Sequence, residues 1–198
     1  MKTANKKLKQ IRDEVVDCQK CPLYQTRTLP VIGQGSHDAK IVFVGEAPGQ
    51  NEDKTGRPFC GQAGGILDEL LASIGQPREN VYICNILKCR PPQNRNPLEN
   101  EIKACTPYLE GQIEAIKPKV IAALGNYSMA FILKKYGLED KIEGISKIHG
   151  KVFKVGESFG EIRIIPLYHP AVAVYNANMK ETLKKDFLII KNFLDNEK

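Results

Sequence analysis

Glu46, Asn85 and His169 combine chemically capable side chains with sequence positions that would expose them. Glu46 follows the apolar run 41–44 and a glycine, Asn85 lies inside the run 81–87, and His169 comes just after the run 162–166. Short unbroken runs rich in β-branched residues suit strands buried on both faces. Open α/β sheets place ligands beyond the carboxyl ends of such strands. A carboxylate there can position or take up a proton, an amide presents a donor and an acceptor together, and an imidazole does either near neutral pH. Each residue also has an ordinary use: an acid in a solvated turn, an asparagine capping a strand end, a structural histidine before proline. Three such residues converging by chance is less expected than any one alone, so the set reads as a candidate site.

The stretch after Glu46 is unusual in its glycines. Gly45 and Gly49 allow sharp turns or close backbone approach to a ligand, and Pro48 fixes φ. Residues 50–58 read as a polar loop ending in Phe59, a lone aromatic among glycines. Lys54-Thr55 resemble the end of a phosphate loop, but Asp53 stands where glycine is needed and no helix pattern follows directly, so that motif is set aside.

The six cysteines are Cys18, Cys21, Cys60, Cys84, Cys89 and Cys105. In a reducing cytosol they are not expected to pair as disulfides. Cys18-x-x-Cys21 closed by Pro22 is a turn that can aim two thiolates at one metal. A redox motif would sit between a strand and a helix, whereas here a helical pattern precedes it and an irregular stretch follows. Cys84 within a strand and Cys60 in a tight turn read as packing residues. The other four give one close pair and two dispersed thiols. Structural zinc more often shows two close pairs, and an iron–sulfur cluster suits this spacing at least as well; spacing does not choose between them.

The positioning elements follow from periodicity. Lys2–Val16 reads as a helix with Leu8, Ile11, Val15 and Val16 in its apolar stripe. Residues 61–65 read as a small-residue turn, 66–74 as a helix, 97–116 as a long helix carrying Cys105, and 127–136 and 179–193 as further helices. Val120–Leu124, 151–155 and 162–166 read as strands, and 138–150 as irregular. Strands alternating with helices predict a largely parallel sheet covered on both faces. On that arrangement Glu46, Asn85 and His169 share one crevice.

The 198 residues suffice for one compact domain. A net charge of +6 permits a polyanionic partner without requiring one. No apolar run is long enough to span a bilayer and no signal-peptide pattern opens the chain, so a cytoplasmic protein without a membrane partner is expected.

The segments GEAPGQNEDKTGRPF, VYICNILKCRPPQNRNP and YHPA, in this order and with these cysteines, resemble the family 4 uracil-DNA glycosylases, the iron–sulfur type of archaea and thermophilic bacteria. The resemblance runs from Cys18 to the last helix. It implies one domain over residues 1–198, a three-layer α/β/α fold with a central, mainly parallel four-stranded sheet. It implies a 4Fe-4S cluster held by Cys18, Cys21, Cys89 and Cys105, and hydrolytic removal of uracil from DNA, the first step of base-excision repair. Glu46 would be the catalytic acid of the first motif. Phe59 would stack on the flipped uracil, Asn85 would bond its edge, and His169 would face its O2 as a binding and catalytic group. Backbone at Gly45 and Ala47 would contact the base, and Glu52 would lie where a thymine methyl would go. Lys88, Arg90 and Arg95 beside the cluster would meet phosphates.

Family members commonly carry an arginine after the HPA motif, in a loop that penetrates duplex DNA; here Tyr175 and Asn176 stand there. The charged C-terminal segment is a candidate docking segment for a sliding clamp, though it carries no clear motif, and a monomer is expected. Two other functions compete. A non-catalytic DNA-binding module would not need Glu46, Asn85 and His169. A small-molecule nucleotide hydrolase would want a phosphate-cradling glycine loop, which is not found.

Overall fold

A computed structural model of the chain describes residues 2–195. In chain order the elements are α1 (Lys2–Val16), β1 (Gln34–Gly35), β2 (Ile41–Gly45), α2 (Gln50–Thr55), α3 (Gln62–Ser73), β3 (Tyr82–Asn85), α4 (Glu99–Ile116), β4 (Val120–Leu124), α5 (Asn126–Lys135), α6 (Ile145–Ile148), β5 (Phe153–Glu157), β6 (Gly160–Leu167), α7 (Ala171–Tyr175) and α8 (Met179–Asp195). The strands form one sheet in the order β1-β3-β2-β4-β6-β5. The four central strands are parallel, as expected, while β1 and β5 add antiparallel edges, so the sheet has six strands rather than four. Sequence periodicity hides β1 because two residues carry no period.

Alternation along the central strands divides the core. Val42, Val44 and Cys84 face a layer containing α1, α4 and α5. Ile41, Phe43 and Ile83 face α3, α7 and α8, where Phe43 stacks on Phe187 with ring centroids 5.6 Å apart. Helices thus cover both faces, the three-layer arrangement expected. In α1 the stripe is Leu8, Ile11 and Val15; Val16 is exposed instead, since it lies at the helix end where the chain turns toward Cys18.

Several local expectations are corrected. Residues 50–55 form a helix rather than a loop. Gly49 precedes it, Glu52 bonds back to the Gly49 N–H, and Gly56 ends it in the left-handed region, so end groups rather than an apolar stripe define it. Helix α3 begins at Gln62, inside the expected turn, and α4 begins at Glu99. Region 138–150 contains the single-turn helix α6, and β5 lies two residues later than expected. The last three residues of the charged C-terminal segment lie outside the described residues.

The chain leaves β2, forms β3 on one side of it and β4 on the other. Such a reversal opens a crevice beyond the carboxyl ends of the strands, where α/β sheets bind ligands.

Candidate active site

A crevice of about 470 Å³ opens at that reversal, lined by Glu46, Ala47, Glu52, Phe59, Asn85 and His169 among others. The three residues singled out by chemistry are therefore brought together. Glu46 follows the end of β2, Asn85 ends β3, and His169 lies two residues past β6. His169 must reach toward β2 across the end of β4. Gly125 follows that end, at φ +89°, where an added Cβ would lie 3.3 Å from the His169 Cβ. A side chain there would press on the histidine in a backbone conformation that already disfavours one.

Gly45 acts by a different constraint. A Cβ there would collide with the Asn85 Oδ1 and come within 2.9 Å of the Phe59 ring. The bare backbone lets an amide and an aromatic ring close on one point. Asn85 is 2 % exposed, and among the described residues nothing hydrogen-bonds its amide. Phe59 has φ +50°, strained for a non-glycine residue, and its ring stacks near His169 with centroids 5.4 Å apart.

Glu52 holds this wall together. One carboxylate oxygen accepts from the Cys60 and Gly61 N–H groups at 3.0 and 3.3 Å, the other from Gly49 at 3.1 Å. It lines the crevice and also clasps the backbone on both sides of Phe59. Cys60 is exposed rather than packed, because its turn lies over the end of α2 at the surface. Asp53, noted in the sequence only for standing where a phosphate loop needs glycine, is buried and accepts from the Thr28 N–H at 3.0 Å, anchoring the preceding segment.

The electrostatics sort the titrating groups. Burial raises the Glu46 carboxyl above the ordinary carboxylate range. Burial lowers His169 to about 4, against a smaller upward pull from the Glu52 charge. His169 is therefore neutral at pH 7. Its Nδ1 lies 3.2 Å from the Ala171 N–H, which donates to it. Nδ1 is then the acceptor and Nε2 carries the proton.

Asn94 and Arg95 also line the crevice; sequence reasoning passed over Asn94 and named Arg95 only as a cation for phosphates. Asn94 is at φ +55° and accepts from Arg90 Nε at 2.7 Å. Arg95 pairs with both oxygens of Glu101 at 2.9 and 2.5 Å. The signal was the run Asn94-Arg95-Asn96, in which small polar residues permit a tight turn. Of the three cations expected to meet phosphates, Lys88 is not at the surface: it is 1 % exposed and bonded internally. Arg90 is bonded to Asn94 within this loop, and Arg95 is paired with Glu101 on α4. Tyr175, where an arginine was sought, is 89 % exposed at the end of α7.

Cys18, Cys21, Cys89 and Cys105 line a second, separate cavity between α1, the segment after β3 and α4. Arg27 Nη1 donates to Cys89 Sγ at 3.2 Å, and the Lys88 N–H donates to Cys105 Sγ at 3.2 Å. Burial raises the Cys21, Cys89 and Cys105 thiols, the last to about 11. Among the described residues, no three Cys, His, Asp or Glu side chains form a group suited to one metal ion. Four soft donors around one cavity, two of them already accepting N–H hydrogen bonds, fit a thiolate-bound cluster. Cys84 packs in the core, as expected.

The profile of the Uracil DNA glycosylase superfamily matches residues 32–190. A type-4 uracil-DNA glycosylase of Sulfurisphaera tokodaii is 48 % identical over 93 % of this chain and 83 % of its own length. One from Saccharolobus solfataricus is 46 % identical over 94 % and 86 %. One from Thermotoga maritima is 41 % identical over the full length of both chains.

Proposed function

The chain belongs to the uracil DNA glycosylase superfamily, with its type-4 members, and from that premise we propose that it excises uracil from DNA to leave free base and an abasic site. The observation that carries this reading is the single crevice shared by Glu46, Asn85, His169 and Phe59. A base inside a duplex must leave the stack before its glycosidic bond can be reached. Phe59 offers the extruded ring a flat apolar face. The Asn85 amide matches the O4 acceptor and N3–H donor of uracil and mismatches the pattern of cytosine. Backbone at Gly45 and Ala47 would bound the base, and Glu52, which lines the same crevice, would stand where a methyl on its C5 would go.

Breaking the N-glycosidic bond puts positive charge on the sugar and negative charge on the departing base. His169 faces O2 and donates its Nε2–H to that developing anion, which a neutral imidazole does without changing protonation state. Glu46, once ionised, orients or deprotonates water and stabilises the cationic sugar. The water oxygen bonds to C1′, the base leaves with the bonding pair and takes up a proton, and no other reactant is needed.

Cys18, Cys21, Cys89 and Cys105 would hold a 4Fe-4S cluster. When bound it supplies a cross-link between the N-terminal helix and the Cys89–Cys105 segment. Glu46, Phe59, Asn85 and His169 all come from one chain, which supports action as a monomer on DNA. The function is tested by incubating the purified protein with oligonucleotides carrying one uracil, thymine or cytosine. Free uracil and alkali-labile abasic sites from the first alone are expected; uracil-containing DNA left intact would refute the reading.

A further inference from the structure

Lys88 carries its amino group inside the protein, where burial lowers its pKa from the ordinary lysine value, and its contacts are specific. Its Nζ donates to the Asn85 carbonyl oxygen at 2.7 Å and to Gln112 Oε1 at 2.7 Å. Gln112 is itself held, with Nε2 donating to the Ile32 carbonyl at 2.8 Å and to the Tyr82 hydroxyl at 3.1 Å. The Lys88 carbonyl accepts from the Val31 N–H at 2.7 Å. Burying an ammonium is costly, and an apolar side chain of similar volume would fill the space more cheaply.

The donors show what the ammonium does. The Asn85 carbonyl and the Ile86 N–H belong to one peptide unit. The Ile86 N–H donates to the Gly45 carbonyl at 3.0 Å, and Lys88 holds the opposite end of the same unit. A planar peptide gripped at both ends cannot rotate, so the backbone carrying the Asn85 side chain is fixed. That side chain makes no hydrogen bond of its own among the described residues, so its direction depends on this backbone.

We propose that Lys88 is a positioning residue for base recognition: its buried ammonium clamps the peptide after Asn85 and thereby sets how the Asn85 amide meets the base. The proposal rests on the reading of the crevice as the uracil site. It also explains a lysine beside Cys89 that faces inward, away from any phosphate.

Lys88→Met removes the donors and keeps an unbranched stem. Base-release kcat/KM should be measured for the wild type, Lys88→Met, Asn85→Ala and the double variant. Lys88→Met should lose about 10²-fold, as misplacement of a recognition group does. Added to Asn85→Ala, it should cost less than about threefold more, because both act through one group. Equal losses in both backgrounds would assign Lys88 a merely structural role and overturn the proposal. The visible absorption per protein should be unchanged in Lys88→Met; its loss in step with activity would assign Lys88 to the cysteine cavity and overturn it too. Should Lys88→Met not fold, Gln112→Met releases the other anchor of the ammonium and should give the same non-additive pattern. A crystal structure of the folded variant decides independently of activity: a rotated Asn85 peptide and displaced amide support the clamp, and an unmoved Asn85 overturns it. If the wild type releases no uracil, the functional reading fails and this structural comparison alone decides the role of Lys88.

Discussion

The crevice and the four-cysteine cavity lie on either side of the segment 85–89, yet they are assembled in different ways. The crevice takes its groups from the ends of parallel strands, and its shape is held by the protein alone. Glu52 gathers three backbone N–H groups, His169 has its tautomer set by Ala171, and Gly45 and Gly125 leave room for the side chains beside them. The cavity instead gathers thiols from a turn, a strand exit and a helix, and burial disfavours the thiolate that any metal requires. Metal binding there would release protons and contribute directly to folding. The difference teaches a division of labour: substitutions in the crevice should change rate with little loss of stability, and substitutions in the cavity should do the reverse.

The largest expected effects are on rate, at Glu46 and at His169. His169→Ala should lower kcat about 10²–10³-fold, the cost of removing one donor to a developing anion. The thermal midpoint should move much less, and a parallel collapse of both would break the division. Cys105→Ser should act in the opposite sense. It should abolish the visible absorption of a bound cluster and cost about 3 kcal/mol, or roughly 10 °C of midpoint, while protein that remains folded keeps much of its kcat. Gly45→Ala tests the boundary between the two classes, because its Cβ would collide with Asn85 and crowd Phe59. Overpacking of this kind costs about 1–3 kcal/mol, and KM should rise with it.

The smallest effect is in the pH profile. The proposed mechanism uses the ionised form of Glu46, and burial raises its pKa, so kcat/KM should fall as pH drops through a value above the ordinary carboxylate range. His169 gains its proton only near pH 4 and should add no limb between pH 5 and 8. Its stability contribution has the opposite dependence from that of a salt-bridged histidine. The unfolded chain takes up the proton near pH 6.5 and the folded one near 4, so stability should decline as pH falls through that window. Thermal midpoints across pH 4–7 for the wild type and His169→Ala would reveal this difference.

Much of the crevice was legible in the sequence because buried strands announce themselves by composition and end at glycine or a polar residue. Glu46, Asn85 and His169 could be placed at strand ends before any coordinates. The four thiols could be separated from Cys84 by its place within a strand. What was not legible depended on tertiary partners. Helix α2 is set by Glu52 reaching Gly49 and by Gly56, not by an apolar face. Lys88 looked like one more cation in a basic loop, and only the position of Gln112 on α4 shows where it can turn inward. Asn94 and Arg95 enter the crevice through a left-handed turn at Gln93 and Asn94 that no periodicity reports.

The central claim is that Glu46 acts on the reacting bond within the crevice it shares with Asn85, His169 and Phe59. Single-turnover release of uracil by the wild type and Glu46→Gln, measured beside the affinity of each for the same oligonucleotide, tests it most directly. The account predicts a rate about 10²–10⁴-fold slower for the variant, with affinity within about threefold of the wild type. An unchanged single-turnover rate in Glu46→Gln would contradict it.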